Sequence, residues 1–185
     1  MEDPRQAVPR PRGERLTRVH YHHCARCGAH IDRIAPCACP GCGAEYWANP
    51  KPCAGALVER DGRLLLVRRA LDPWGGSWDI PGGFCDGVEH PEATAVRELR
   101  EETGLDIIVG PLFGMWMDAY GEQDPPEVTL NLYFLASLAC AGDEPRLSAE
   151  VAEVGWFPPD ALPEDVAFPR HASLVLAAYR AAVSR

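Results

Sequence analysis

Four carboxylates, Glu89, Glu98, Glu101 and Glu102, cluster around Arg97, with glycines at positions 83 and 104 on either side. A helix through this stretch can be argued from local chemistry. Pro91 suits a first helical position, where its missing N–H is not needed. Glu89 and Glu92 sit near the positive end of the helix dipole. Ala93, Val96 and Leu99 recur at helical spacing, and Gly104 accepts the left-handed backbone that ends a helix. On that helix Glu98 and Glu102 are four residues apart and Glu98 and Glu101 three, so their side chains share one face. Like charges at that spacing repel, and a divalent cation between them removes the conflict. Mg²⁺ and Mn²⁺ prefer oxygen ligands, Mg²⁺ taking a few carboxylates plus phosphate and water. The competing reading is a solvated face in which Arg97 and Arg100 pair with the glutamates for a few tenths of a kcal/mol each.

A second set of residues has metal chemistry of another kind. Cys24-Ala-Arg-Cys27-Gly28 and Cys39-Pro-Gly-Cys42-Gly43 are two Cys-x-x-Cys pairs, each followed by glycine, in a chain with eight cysteines. Each tight turn points two sulfurs at one ion, and two turns complete a closed tetrahedral Cys₄ zinc site. A four-thiolate site has no open position for substrate, so its expected role is structural. A module of some 25 residues is below the size, about 40, at which burial alone suffices. Cys37 and the histidines at 20, 22 and 23 are alternative ligands, though Cys37-Ala-Cys39 has the wrong spacing. Cys53, Cys85 and Cys140 are isolated and read as small core residues.

These groups need elements to position them. Residues 53–60 and 63–69 read as strands around Asp61-Gly62, a hairpin signal. A loop rich in Gly, Pro and Trp covers 70–77 and leads through Pro81-Gly82-Gly83 into the acidic helix. Further strands are expected over 112–120, 127–138 and 151–157, and an Ala/Leu-rich helix over 171–183. A loop is expected over 121–126. The first 19 residues, Pro- and Arg-rich and aperiodic, are expected to be mobile. Asn49-Pro50-Lys51-Pro52 favours extended, turn-rich chain and marks a boundary between a small module at 20–49 and a larger domain at 50–185.

The order Gly83, five residues, Glu89, seven residues, Arg97-Glu98, Leu99, one residue, Glu101-Glu102, one residue, Gly104, Leu105 resembles the Nudix box at every position. The resemblance implies an α/β fold, the Nudix α/β/α sandwich with a mixed sheet. It also implies divalent-metal-dependent hydrolysis of a nucleoside diphosphate linked to another moiety. It makes Glu98 and Glu102 the leading Mg²⁺ or Mn²⁺ ligands, with Glu101 and the Gly82 carbonyl beside them. Arg97 is expected to orient the carboxylates and Glu89 to support that network or a second metal. The general base is open between Glu101 and an acid at Glu122 or Asp124. A zinc ribbon ahead of such a domain is itself a family arrangement, similar in layout to the NADH pyrophosphatases. Their Ser-Gln-Pro-Trp-Pro-Phe-Pro type segment is missing, however: residues 113–120 read Phe-Gly-Met-Trp-Met-Asp-Ala-Tyr. The motif that the coenzyme A subgroup carries ahead of the box is also missing. Trp74, Trp78, Phe84, Trp116 and Tyr120 are candidates to stack on a base, Tyr120 falling near the tyrosine of dinucleoside polyphosphate hydrolases. ADP-ribose or a dinucleotide is the expected substrate type. An NADH pyrophosphatase-like activity and a non-catalytic, nucleotide-sensing regulatory protein are the alternatives.

Composition sets the remaining limits. A formal charge of −9 argues against binding long nucleic acid and sets a repulsive field against phosphates unless metal or local Arg and Lys intervene. No apolar run approaches membrane-spanning length. The N-terminal stretch lacks the apolar segment of a secretory signal, so a cytoplasmic location is the expectation. A homodimer is a further expectation, resting on family habit.

Overall fold

A computed structural model describes residues 19–120, 127–169 and 171–184, without the side chains of Ala119 and Tyr120. The expectations for residues 1–18, for Glu122 and Asp124, and for the Tyr120 ring lie outside the described residues. Two compact units emerge: described residues 51–118 and 129–184 form one, and 19–50 with 119–120 and 127–128 the other.

The cysteine-bearing unit is built from short antiparallel pairs. Strands β1 (His20–His23) and β2 (His30–Ile34) form one, β3 (Cys37–Ala38) and β4 (Glu45–Tyr46) the second. Its small core holds Cys24, Ile31 and Cys39, with Tyr21, Ala29, Ala44 and Tyr46 against it. A cluster of this size buries too little apolar surface to hold a fold unaided.

In the larger unit, β5 (Lys51–Arg60) and β6 (Arg63–Arg69) flank a turn in which Asp61 and Gly62 both take positive φ, 53° and 71°. That suits a two-residue hairpin turn. The strands pair only beside the turn, at Glu59–Leu64 and Arg60–Arg63. Beyond it they part, and β7 (Trp78–Asp79) pairs with β6 while β8 (Gly82–Phe84) pairs with β5. The segment leading into the acidic helix thus forms the wedge between them. β10 (Glu127–Leu138) runs parallel to β5, β11 (Val151–Phe157) antiparallel to β6, and β9 (Ile107–Tyr120) lies outside β10, so the sheet is mixed, ordered β11-β6-β5-β10-β9. β9 starts earlier than its sequence suggests, running through Gly110 and Pro111. Proline is tolerated there because β9 is at the edge of the sheet.

Strand periodicity separates two cores. Leu57, Leu64 and Leu66 face helix α2 (Ala172–Val183), meeting Val175, Leu176 and Tyr179. Their neighbours Ala56, Val58, Leu65 and Val67 face the opposite way, onto Ala95 and Leu99 of helix α1 (Pro91–Thr103). Alternation of this kind is what a sheet covered on both faces requires. The result is an α/β/α sandwich.

Candidate functional site

Helix α1 begins where the sequence places it, with Pro91 in its first turn and His90 at the cap, whose ring accepts from the Glu92 amide. Gly104 ends it at φ 69°, its N–H donating to Arg100 O. Leu99 and Ala95 fix the buried face, and Glu98 comes over Gly83 of β8.

Arg97 organises the acids. Its Nε and Nη2 form a fork on Glu89, 3.0 and 2.9 Å from Oε1 and Oε2. Nη1 donates to Glu98 Oε1 at 2.8 Å and Glu101 Oε2 at 3.1 Å, and Nη2 reaches Phe84 O at 3.0 Å. Such charge-assisted, bidentate bonds fix direction as well as charge. Glu89 also accepts from Thr94 Oγ1 at 2.7 Å and the Asp86 amide at 3.2 Å. The Arg97 bonds first, then Thr94, hold its carboxyl at about 2, well below the usual range.

Glu98 and Glu102 behave oppositely. Burial pushes Glu98 up despite its bond to Arg97. Burial pushes Glu102 to about 9, with the charges of Asp79 and Glu98 adding to it. Glu102 Oε2 is buried and, among the described residues, has no hydrogen-bond partner. Gly83 lies directly under the Glu98 carboxylate, where any Cβ would overlap it. Glu101 is the most exposed of these acids that Arg97 bonds, at 59%. Gly82 sits one residue earlier in β8, paired with Gly55. Carboxylate and carbonyl oxygens are the donor set of a hard divalent cation, and an unpartnered buried carboxylate oxygen is a position that such an ion would satisfy.

Three neighbouring features follow no spacing rule in the sequence. Asp79 is buried; its Oδ2 accepts from Arg69 Nη1 at 3.3 Å and its Oδ1 from the Ile80 amide at 2.8 Å. Burial raises its carboxyl to about 6 even so. Asp118 Oδ2 lies 2.6 Å from His171 Nδ1, and His171 Nε2 lies 2.8 Å from the Tyr133 hydroxyl, a chain of three buried groups from β9, the start of α2 and β10. The Tyr133 ring closes against Gly55, the partner of Gly82, where a Cβ would come within 2.8 Å of it. Only the polar residues inside apolar strands hint at these contacts.

The aromatic candidates divide. Trp116 is 3% exposed and packs beside Phe113 and Tyr133, so core neighbours cover its ring. Trp78 packs edge-on to Phe157 at 4.8 Å. Phe84 and Trp74 are exposed, Phe84 with the Lys51 ammonium 5.6 Å from its centroid.

In the smaller unit, Cys24, Cys27, Cys39 and Cys42 converge, one sulfur from each within 4.8 Å of the others. The Cys24–Cys42 and Cys27–Cys39 pairs are 3.6 and 3.7 Å apart, close to the ~3.8 Å edge of a tetrahedron with Zn–S of about 2.3 Å. The two turns match: Gly28 N–H donates to Cys24 O and Gly43 N–H to Cys39 O, at φ 74° and 70°. The Tyr46 hydroxyl, 3.0 Å from Cys24 Sγ, draws that thiol down to about 6. Cys37 pairs with Tyr46 in the β3–β4 ladder instead, and His20 and His22 gather on Asp32. Cys53 and Cys85 are half-buried, whereas Cys140 is exposed rather than a core residue, because it falls in the turn after β10.

A mixed α/β/α sandwich that sets a Glu-Arg-Glu helix against a glycine strand defines a class, and the comparisons agree with it. Residues 49–177 match the NUDIX domain family, and the chain belongs to it. It is a Nudix pyrophosphohydrolase. It is 30% identical over 120 residues to an ADP-ribose pyrophosphatase of Methanocaldococcus jannaschii, covering 65% of this chain and 69% of that one. Over 149 residues it is 30% identical to the NAD-capped RNA hydrolase NudC of Pseudomonas aeruginosa, 78% of this chain but 50% of that protein. A NUDIX hydrolase from Nitrosomonas europaea superposes with a TM-score of 0.71 at 27% identity, over 87% of this chain and 91% of that one. Among the described residues no helix is long and apolar enough to cross a membrane.

Proposed function

We propose that this chain cleaves the pyrophosphate bond of a nucleoside diphosphate linked to another moiety, with ADP-ribose or a dinucleotide as substrate. The observation that carries the reading is the buried, unpartnered Glu102 Oε2 beside Glu98. Glu98 and Glu102 would hold Mg²⁺ or Mn²⁺, with Glu101 and the Gly82 carbonyl alongside. The cation supplies charge neutralisation of the phosphates and an acidified water. Arg97 orients Glu98 and Glu101 and is itself fixed by Glu89. Glu101, 59% exposed, is one candidate to take the proton of the attacking water, and an acid at Glu122 or Asp124 is the other. Phe84, within β8, and Trp78, in β7, are the candidates for base contact.

The similarity to the ADP-ribose pyrophosphatase supports the substrate class. An NADH pyrophosphatase-like activity is favoured by one observation, the match to NudC over 78% of this chain. We assign Cys24, Cys27, Cys39 and Cys42 to a structural Zn²⁺ in a ribbon at 20–49, ahead of the Nudix domain at 50–185. A cytoplasmic setting and a homodimer complete the proposal.

The test is a substrate panel in Mg²⁺, scoring AMP release from ADP-ribose, NADH, FAD and diadenosine polyphosphates, with Glu98→Gln as control. Turnover on one of these, reduced by orders of magnitude in the control, is expected. Tight ligand binding with no hydrolysis in Mg²⁺ or Mn²⁺ would replace the enzyme by a nucleotide sensor, and an equally active control would remove Glu98 from the site.

A further inference from the structure

The smaller unit carries a second cluster that the cysteine site does not use. His20 and His22 are two residues apart on β1, so they project from the same face. Across the pair, the register slips by one residue between Tyr21 and His23. Asp32 sits at this slip with φ 49°, a left-handed conformation uncommon outside glycine. Bulges re-aim side chains; here Ile31 goes into the core at 5% exposure while Asp32 meets the two histidines. Asp32 Oδ1 lies 3.3 Å from His20 Nε2 and 3.6 Å from His22 Nδ1, and His20 Nδ1 lies 3.3 Å from His22 Nε2.

Counting protons shows that this triangle is incomplete. An ionised carboxylate only accepts, and a neutral imidazole has one donor and one acceptor. For both nitrogens facing Asp32 to donate, His20 must carry its proton on Nε2 and His22 on Nδ1. The third contact then sets two lone pairs against each other. Any other neutral assignment leaves a lone pair facing the carboxylate. The cluster is therefore short of one positive charge. A cation between His20 Nε2, His22 Nδ1 and Asp32 Oδ1 supplies it. Ligand atoms about 2.0–2.2 Å from a tetrahedral Zn²⁺ lie ~3.3–3.6 Å apart, and the two measured separations from Asp32 have that length. The remaining nitrogens, His20 Nδ1 and His22 Nε2, then both carry protons, so the two rings must swing apart from their 3.3 Å contact on binding and turn those N–H groups to solvent, which side chains 37% and 64% exposed allow.

We propose that His20, His22 and Asp32 form a transition-metal site for Zn²⁺ or a similar borderline ion, separate from the four-cysteine cluster and with at least one position open. Two imidazoles and a carboxylate favour such ions over Mg²⁺. The site's exposure makes it weaker and more readily stripped than a closed four-thiolate site.

The test measures bound zinc by mass spectrometry after equilibrium dialysis of the full chain, in excess Mg²⁺ to occupy the acidic helix. Wild type is expected to hold one equivalent more than a His20→Ala/His22→Ala double variant. Asp32→Asn, which tolerates the same backbone, should weaken the extra equivalent at least tenfold while circular dichroism stays unchanged. Equal zinc content in wild type and the double variant would overturn the proposal. So would imidazole NMR signals of His20 and His22 that titrate with pH but do not respond to zinc, since a proton would then be the missing charge.

Discussion

Gly83→Ala should separate catalysis from folding. A methyl at 83 would fall 2.7 Å from Glu98 Oε2 and nearer still to the rest of that carboxylate. Ordinary contact needs about 3.5 Å or more, so the carboxylate must retreat by ~1 Å, away from its 2.8 Å bond to Arg97. Misplacement of about 1 Å at a reacting site costs on the order of 100-fold, and kcat should fall by that much. Stability should fall less than kcat does. The clash is with the far end of a flexible side chain, and Gly83 does not take a positive φ. Replacing glycine at a compatible position recovers about 0.4–1 kcal/mol from the unfolded state, offsetting part of the roughly 1.5–3 kcal/mol of one charge-assisted bond and leaving a net loss on the order of 1–2 kcal/mol. Gly82→Ala is the contrast. There a methyl would meet backbone, 2.6 Å from Gly55 Cα and as close to Ala54 O. The β5–β8 pairing must open, at a cost of about 3 kcal/mol or more. Steady-state kinetics on the substrate that the panel identifies, with urea unfolding of both variants, makes the comparison. Wild-type kcat in Gly83→Ala, or destabilisation matching Gly82→Ala, would refute the role assigned to Glu98.

Three further outcomes follow. Glu98→Gln should keep its fold by circular dichroism and lose the Mg²⁺-dependent rise in Tm along with turnover; an undiminished Mg²⁺ response would place the cation elsewhere. Cys24→Ser with Cys27→Ser should lose one equivalent of tightly held zinc, and unchanged metal content would dissolve the Cys₄ assignment. The Glu89 carboxyl, held near 2 by Arg97 and Thr94, is depressed below its unfolded value of about 4.3, so its stabilisation is complete above that pH and lost as pH falls toward 2. Glu89→Gln should therefore have a shallower fall in Tm than wild type across that window, and parallel curves would refute the linkage.

The legible parts of this molecule are those whose causes are local. The helix from Pro91 to Thr103, its stop at Gly104 and the two cysteine turns all depend on residues within a few positions of one another. The turn at Asp61-Gly62 was legible for the same reason, but the parting of β5 from β6 was not. That parting depends on residues 78–84 entering between them, and nothing in either strand records it. The Asp118–His171–Tyr133 chain joins groups 53 and 38 residues apart, beyond any spacing rule. Trp116 misleads for a related reason: a tryptophan in a strand looks the same in sequence whether its face is covered or open, and Phe113 and Tyr133 cover it.

The distribution of charge on α1 locates its function more closely than the count of acids does. Four carboxylates face one guanidinium, and that guanidinium is spent on Glu89, Glu98 and Glu101. Were the helix only a solvated Glu/Arg face, all four acids would be exposed and each pair worth a few tenths of a kcal/mol. Instead Glu89 and Glu98 are 19% and 17% exposed, and Glu102, the fourth, is buried next to Asp79 with an oxygen that the described residues leave unpartnered. Burying a carboxylate without a partner is costly, and a packed core could have placed an aliphatic side chain there at no such cost. Arg69, which lowers the Glu102 carboxyl, is itself paired with Asp79, so the nearest fixed cation is already engaged. With its carboxyl pushed to about 9, Glu102 takes up a proton at neutral pH; under the proposed function a cation joining Glu102 to Glu98 would displace that proton, and the same cation is what a phosphate substrate would need before it could approach a chain of net charge −9.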